Sequence, residues 1–151
     1  MKPFFFFIAA FLSACSLQAG WDKLTWDTTA ETAEGIYPGT TRKGDWLYLP
    51  SVDVVEVPLT VSAYFSKSDG KLEAVMLRAE DAEPGKVAGL LDLYRSKYGE
   101  PISLERGDHG SMKARWKTAD STIEFLYGPA TETTKSVLYV HYKNPAKISG
   151  I

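Results

Sequence analysis

The sequence predicts an α+β fold, with two helices packed on antiparallel sheet in the order helix–strands–helix–strands. Three observations predict it. Leu59, Val61, Ala63 and Phe65 alternate with Thr60, Ser62, Tyr64 and Ser66, the period of a half-buried strand. Val87, Leu90, Leu91, Tyr94 and Tyr98 recur at i, i+3, i+4, i+7 and i+11, one buried stripe on a helix. Residues 111–118 and 121–127 flank Ala119-Asp120, and one register matches both their apolar and their charged side chains.

Each element has a local cause. Thr28-Thr29-Ala30-Glu31 fits a capping box with Thr28 at the N-cap. Ala30, Ala33 and Ile36 continue a short helix. Tyr37-Pro38-Gly39 ends it, because the residue before proline avoids helical angles. Trp46 to Leu49 reads as a short strand closed by Pro50, and Val52 to Val57 as extended chain without an assigned partner. Lys67 to Gly70 is a turn that returns the 59–66 strand into Leu72 to Ala79. This pairs Phe65 with Leu72, Ala63 with Ala74 and Val61 with Met76.

The second helix is expected over Asp81 to Tyr98. The acidic run Glu80-Asp81-Ala82-Glu83 lies at its N-terminus, Arg95 and Lys97 in its last turn, and Gly99 and Pro101 after it. The following hairpin closes Thr118 on Ser121, pairing Trp116 with Ile123, Ala114 with Phe125, Met112 with Tyr127 and Arg115 with Glu124. Ser136 to Tyr142 is the last strand. Each helix is expected to cover one face of the strands that follow it.

The chain starts MKPFFFFIAAFLSACSLQAG. A lone Lys2, an uncharged apolar run from Phe4 to Leu12 and then small residues make a secretory signal. That run spans about 14 Å as a helix, half a bilayer core. Two cleavage sites compete. One follows Leu17-Gln18-Ala19, making 1–19 the signal peptide. The other is the lipobox Leu12-Ser13-Ala14-Cys15, making 1–14 a lipoprotein signal and Cys15 the lipidation site. The second is preferred because the chain's one cysteine falls where a lipobox needs it. Residues 20–144 then form a single domain and 145–151 a C-terminal tail. The expected location is the periplasm or outer membrane of a Gram-negative bacterium, with membrane attachment only through lipid.

Composition excludes more than it assigns. The 151 residues carry 17 Lys+Arg against 19 Asp+Glu, a formal −2, and loss of Lys2 makes it −3. Such a chain has no long-range attraction for nucleic acid. One cysteine permits neither an internal disulfide nor a cysteine-based zinc site. No phosphate-binding loop, dinucleotide fingerprint, nucleophile elbow or HExxH motif occurs, so no cofactor and no metal site are expected.

Candidate chemistry is sparse, and no catalytic residue is assigned. Asp108-His109-Gly110-Ser111 places an acid, an imidazole and a hydroxyl together, but neighbours in one loop diverge, and a hairpin turn explains them better. His141 alternates with Tyr139 and Val137 on one strand face, without a second ligand at useful spacing. Asp53, Glu56, Glu73, Glu80, Asp81 and Glu83 include no pair that the sequence sets across a cleft. Lys113, Arg115 and Lys117 form a basic stripe, read as a solvated face with Arg115 tied to Glu124. Trp26 and Trp116 are assigned to the core. Trp21, Trp46 and Tyr48 are the candidate binding residues, because exposed aromatics anchor protein contacts.

Leu24-Thr25-Trp26-Asp27 before a capped helix, then Tyr37-Pro38-Gly39 and hairpins, resembles small exported bacterial α+β proteins. These are the SmpA/BamE-type outer-membrane-assembly lipoproteins and the β-lactamase-inhibitory-protein-like fold. The resemblance covers the first helix and the next hairpin, and it implies a non-catalytic binding module. The expected function is an exported envelope protein that binds a protein or cell-wall partner, as inhibitor, immunity protein or assembly accessory. A small periplasmic hydrolase and a small-ligand carrier are the alternatives.

Overall fold

The computed structural model describes residues 20–147. The expected signal segment, Cys15 and the end of the expected tail (148–151) lie outside the described residues. Element order is α1 (Ala30–Ile36), β1 (Thr41–Lys43), β2 (Trp46–Val54), β3 (Val57–Phe65), β4 (Leu72–Glu80), α2 (Pro84–Tyr98), β5 (Ser103–Arg106), a 3-10 turn (Asp108–Gly110), β6 (Met112–Lys117), β7 (Thr122–Gly128) and β8 (Val137–Lys143).

The architecture corrects the expected fold class. Two helix-plus-sheet segments in the order helix–strands–helix–strands, each helix on its own strands, do not form. All the strands join one eight-stranded antiparallel sheet, ordered β1-β2-β3-β4-β8-β7-β6-β5. The joint is β4 against β8, seven paired residues from Ala74↔Lys143 to Glu80↔Val137. That pairing spans the second helix and the second set of strands, so no local pattern announces it. The helices are subordinate to this sheet. α2 reaches strands from both halves: Tyr94 packs on Trp116, Phe125 and Tyr142, and Leu90 and Tyr94 line one small cavity with Leu59 of β3 and Leu77 of β4. α1 only adds Ala30 and Ala33 to the same core.

Local details also shift. Thr29, not Thr28, is the N-cap of α1 and accepts from Thr32 N; the Thr28 hydroxyl accepts from Thr25 N at 3.0 Å. β2 runs through Pro50 by changing register between Leu49 and Val52, an irregularity where a missing N–H is tolerated. Phe65 pairs with Leu72 as expected, but Tyr64 pairs with Ala74 and Ser62 with Met76. A bulge at Glu73 causes this. It lets Leu72, Val75 and Leu77 all reach the core. α2 starts at Pro84, three residues after Asp81, whose φ of 57° ends β4. The acidic run therefore lies before the helix, and no acid occupies its first turn.

The β6–β7 hairpin has the expected register: Trp116↔Ile123, Ala114↔Phe125, Met112↔Tyr127 and Arg115↔Glu124, with Thr118 N donating to Ser121 O at 2.9 Å. The core lies between α2 and one sheet face. Leu47, Leu59, Leu77, Val140, Phe125 and Trp116 are buried there, and the Trp116 indole donates to Gly99 O at 2.8 Å.

Candidate functional site: the open face of the sheet

Side chains alternate across a strand, so burying one set on α2 turns the other set away. No helix packs on that second face among the described residues. Its central row follows from the register: Tyr48, Ser62, Met76, His141, Glu124, Arg115 and Ser103 lie side by side from β2 to β5. A parallel row holds Lys43, Trp46, Tyr64, Ala74, Lys143, Thr122 and Lys117. A third holds Thr60, Arg78, Tyr139, Leu126, Lys113 and Glu105. Aromatic, aliphatic and cationic groups are thus interleaved over the whole width of the sheet.

The centre of the face is electrostatically fixed. Glu124 accepts from Lys143 Nζ at 2.6 Å and lies 3.5 Å from Arg115 Nη2. Burial pushes its carboxyl up, but the Lys143 hydrogen bond and the charges of Lys143, Arg115 and His141 outweigh burial and hold it below the usual range. His141, facing Glu124 across the strand pair, has its pKa lowered by burial and by Lys143, against the pull of Glu124. The imidazole therefore stays neutral near pH 7. Its Nε2 is buried without a hydrogen-bond partner. Arg78 bonds Glu80 at 2.6 Å and lies 5.7 Å from the Tyr139 ring centroid.

The three aromatics expected to bind are not brought together. Trp46 and Tyr48 share the open face; Trp46 lies 5.0 Å from Tyr64, and Lys43 Nζ lies 5.6 Å from the Tyr48 ring. Trp21 is on the other side, stacked on Tyr37 and lining a 130 Å³ cavity with Leu90, Tyr94, Tyr98 and Tyr142. Sequence reasoning missed Tyr64, Met76, Tyr139 and Leu126. Their signal was present as the polar-side positions of alternating strands, but recognising one surface needs the β4–β8 joint.

The other candidates disperse or are paired. Asp108, His109 and Ser111 occupy an exposed turn in which His109 has φ 58°. Glu56, Glu80, Asp81 and Glu83 gather around a 70 Å³ cavity, but Glu80, Asp81 and Glu83 are bound to Arg78, Lys135 and Lys86. That pattern leaves no free acid–base pair. Among the described residues no group of three or more His, Cys, Asp or Glu is placed to hold a metal ion. No described helix is long and apolar enough to cross a membrane. The indole of Trp26 donates to Asp120 O, tying the N-terminal segment to the β6–β7 turn.

No protein family and no curated protein matches this chain. A similar solved structure is that of YjgB, a DUF4309 family protein from Bacillus subtilis, at 12% identity and TM-score 0.49, covering 81% of this chain and 84% of that one. The resemblance to SmpA/BamE-type or β-lactamase-inhibitory-protein-like proteins is corrected accordingly: no family model and no curated protein carries it. The residues Leu24 to Gly39, which carried much of it, form a turn and a seven-residue helix. A segment that short is compatible with many folds.

Proposed function

We propose that this protein is an exported, non-catalytic binding module that captures a protein partner on the open face of its sheet. The carrying observation is the face itself: a helix-free surface on which Trp46, Tyr48, Tyr64, Met76 and Tyr139 are interleaved with lysines and arginines. Antiparallel sheets commonly leave one face to solvent, but such faces are ordinarily polar. Large amphipathic rings and a methionine are the residues of contact surfaces. Export rests on the charged, apolar and small-residue order of residues 1–19.

The test is capture from an envelope extract by the folded protein, compared with the double variant Tyr64→Lys, Met76→Lys. The expected result is one or a few proteins retained by the natural chain and lost from the variant, which stays folded with a loss of only about 1 kcal/mol from the Trp46–Tyr64 ring contact. Photo-crosslinkers at Tyr48 and at Leu93, on α2, separate the faces: crosslinks arise from position 48. Equal retention by both proteins, or crosslinks from position 93 alone, overturn the reading. Export is checked by the mass of the mature N-terminus: Gly20 free, or Cys15 carrying lipid.

A further inference from the structure

A cavity of about 410 Å³ opens on the third row of this face, where the β5–β6 connection meets β7 and β8. Its size falls within the roughly 300–1,000 Å³ of sites that hold small molecules or anchoring side chains. The 130 Å³ and 70 Å³ cavities elsewhere are too small for that. Leu126, Val137 and Tyr139 supply apolar wall, and Arg106, Lys113 and Glu105 supply charge at its edge. Glu105 stands opposite Lys113 on the neighbouring strand, so one positive charge is left over.

We infer that this cavity takes an apolar side chain flanked by carboxylates, delivered by an acidic segment of the partner that the open face binds. The inference rests on that reading and adds the partner's chemistry. Charge complementarity argues for it. Glu124 and Glu80 are already neutralised by Lys143, Arg115 and Arg78. Lys113 and Lys117 extend from the same face and, among the described residues, form no ion pair with a carboxylate. A partner covering them must bring acids or leave the lysines desolvated. A nucleic acid fits less well: it would use the cations and leave the apolar wall uncovered, and a chain of formal charge −2 repels it at long range.

The test is titration of the folded, isotope-labelled protein with acetyl-Glu-Phe-Glu-amide, followed by amide NMR shifts. Support is a saturable shift pattern centred on Leu126, Gly128 and Tyr139. It also requires about fivefold weaker binding, or worse, of acetyl-Gln-Phe-Gln-amide and acetyl-Glu-Ala-Glu-amide, a loss of roughly 1 kcal/mol. Lys113→Gln, and separately Arg106→Gln, weaken the charged peptide to a similar degree at unchanged thermal midpoint. Shifts centred elsewhere, no shift, or equal binding of all three peptides overturn the inference. So does N-acetyl-phenylalanine binding as tightly as the peptide, which makes the cavity a site for a free small acid. The titration involves no captured partner, so its failure is distinct from failure of the Tyr64, Met76 capture experiment.

Discussion

The two faces of this sheet share one backbone and one periodicity, and they differ in what covers them. On the α2 side Leu47, Leu59, Leu77, Val140, Phe125 and Trp116 are all nearly inaccessible. On the other side Tyr48, Met76, Glu124 and Arg115 hold equivalent positions and stay partly open. The covered face makes the fold stable, since removal of apolar area from water is its main driving force. The open face contributes ion pairs and ring contacts of small net worth, so selection for folding alone does not explain its aromatics. The difference separates residues kept for stability from residues free to serve recognition.

The largest expected effect breaks the covered side. Trp116 is 1% exposed and carries the bond to Gly99 O. Trp116→Ala leaves a large cavity, with an expected loss of about 3–5 kcal/mol in urea unfolding. A loss under about 1 kcal/mol would mean that α2 is not seated on the sheet as described.

The second prediction concerns the tyrosine pair between α2 and the sheet. Tyr94 and Tyr142 share a buried hydrogen bond of 2.7 Å. Phenylalanine at either position strands the other hydroxyl, at about 1–2 kcal/mol, and the double replacement costs less than the sum of the singles. Burial, the first cause for both, raises both pKa values above 10. Burial and the Asp22 carboxylate likewise push Tyr37 to about 12. Above pH 10 the unfolded chain loses these protons while the folded one retains them. Stability is therefore complete below pH 10 and falls as pH rises beyond it. Alkaline titration of the double variant shows a shallower fall. An identical curve would mean that these hydroxyls are not buried.

How much was legible in the sequence depends on whether a feature was local. The β6–β7 register was readable because both faces of the hairpin demand the same pairing, Trp116 with Ile123 and Arg115 with Glu124. The β3–β4 register was not, because the bulge at Glu73 obeys packing further along the strand. The β2–β3 turn was hidden for a different reason. Val55 and Glu56 both adopt positive φ, 51° and 58°, where Asn-Gly is the expected signal. The candidate site was half visible: Trp46 and Tyr48 were found on their own strand, and the lysines and Arg115 on theirs. Their membership of one surface depends on β4 meeting β8, a contact between residues some 60 positions apart.

A third, smaller effect sits at the centre of the open face. Glu124→Gln removes the carboxylate from Lys143 and Arg115, with an expected cost of about 1 kcal/mol at pH 7. Because the folded-state pKa is lowered, the natural chain's contribution from Glu124 is present above about pH 4.5 and lost as pH falls below it. Unfolding curves of the variant should be flatter over that acid range. Equal acid sensitivity in both proteins would show that Glu124 is not held by its cations in solution.

The smallest effect on folding is the sharpest test of the comparison. Trp46 belongs to the open face, is only partly buried, and makes one ring contact, 5.0 Å from Tyr64. Such a contact is worth roughly 0.5–1.5 kcal/mol, so Trp46→Ala is expected to lose about 1 kcal/mol. Trp116→Ala removes the same number of atoms and loses several times more. Partner capture should move in the other direction, falling at least about tenfold in Trp46→Ala. If Trp46→Ala instead destabilises the fold as Trp116→Ala does, the open face is a second core surface covered in solution by something firmly bound. If it changes neither stability nor capture, the partner lies toward the Lys113 end and the β2 end takes no part.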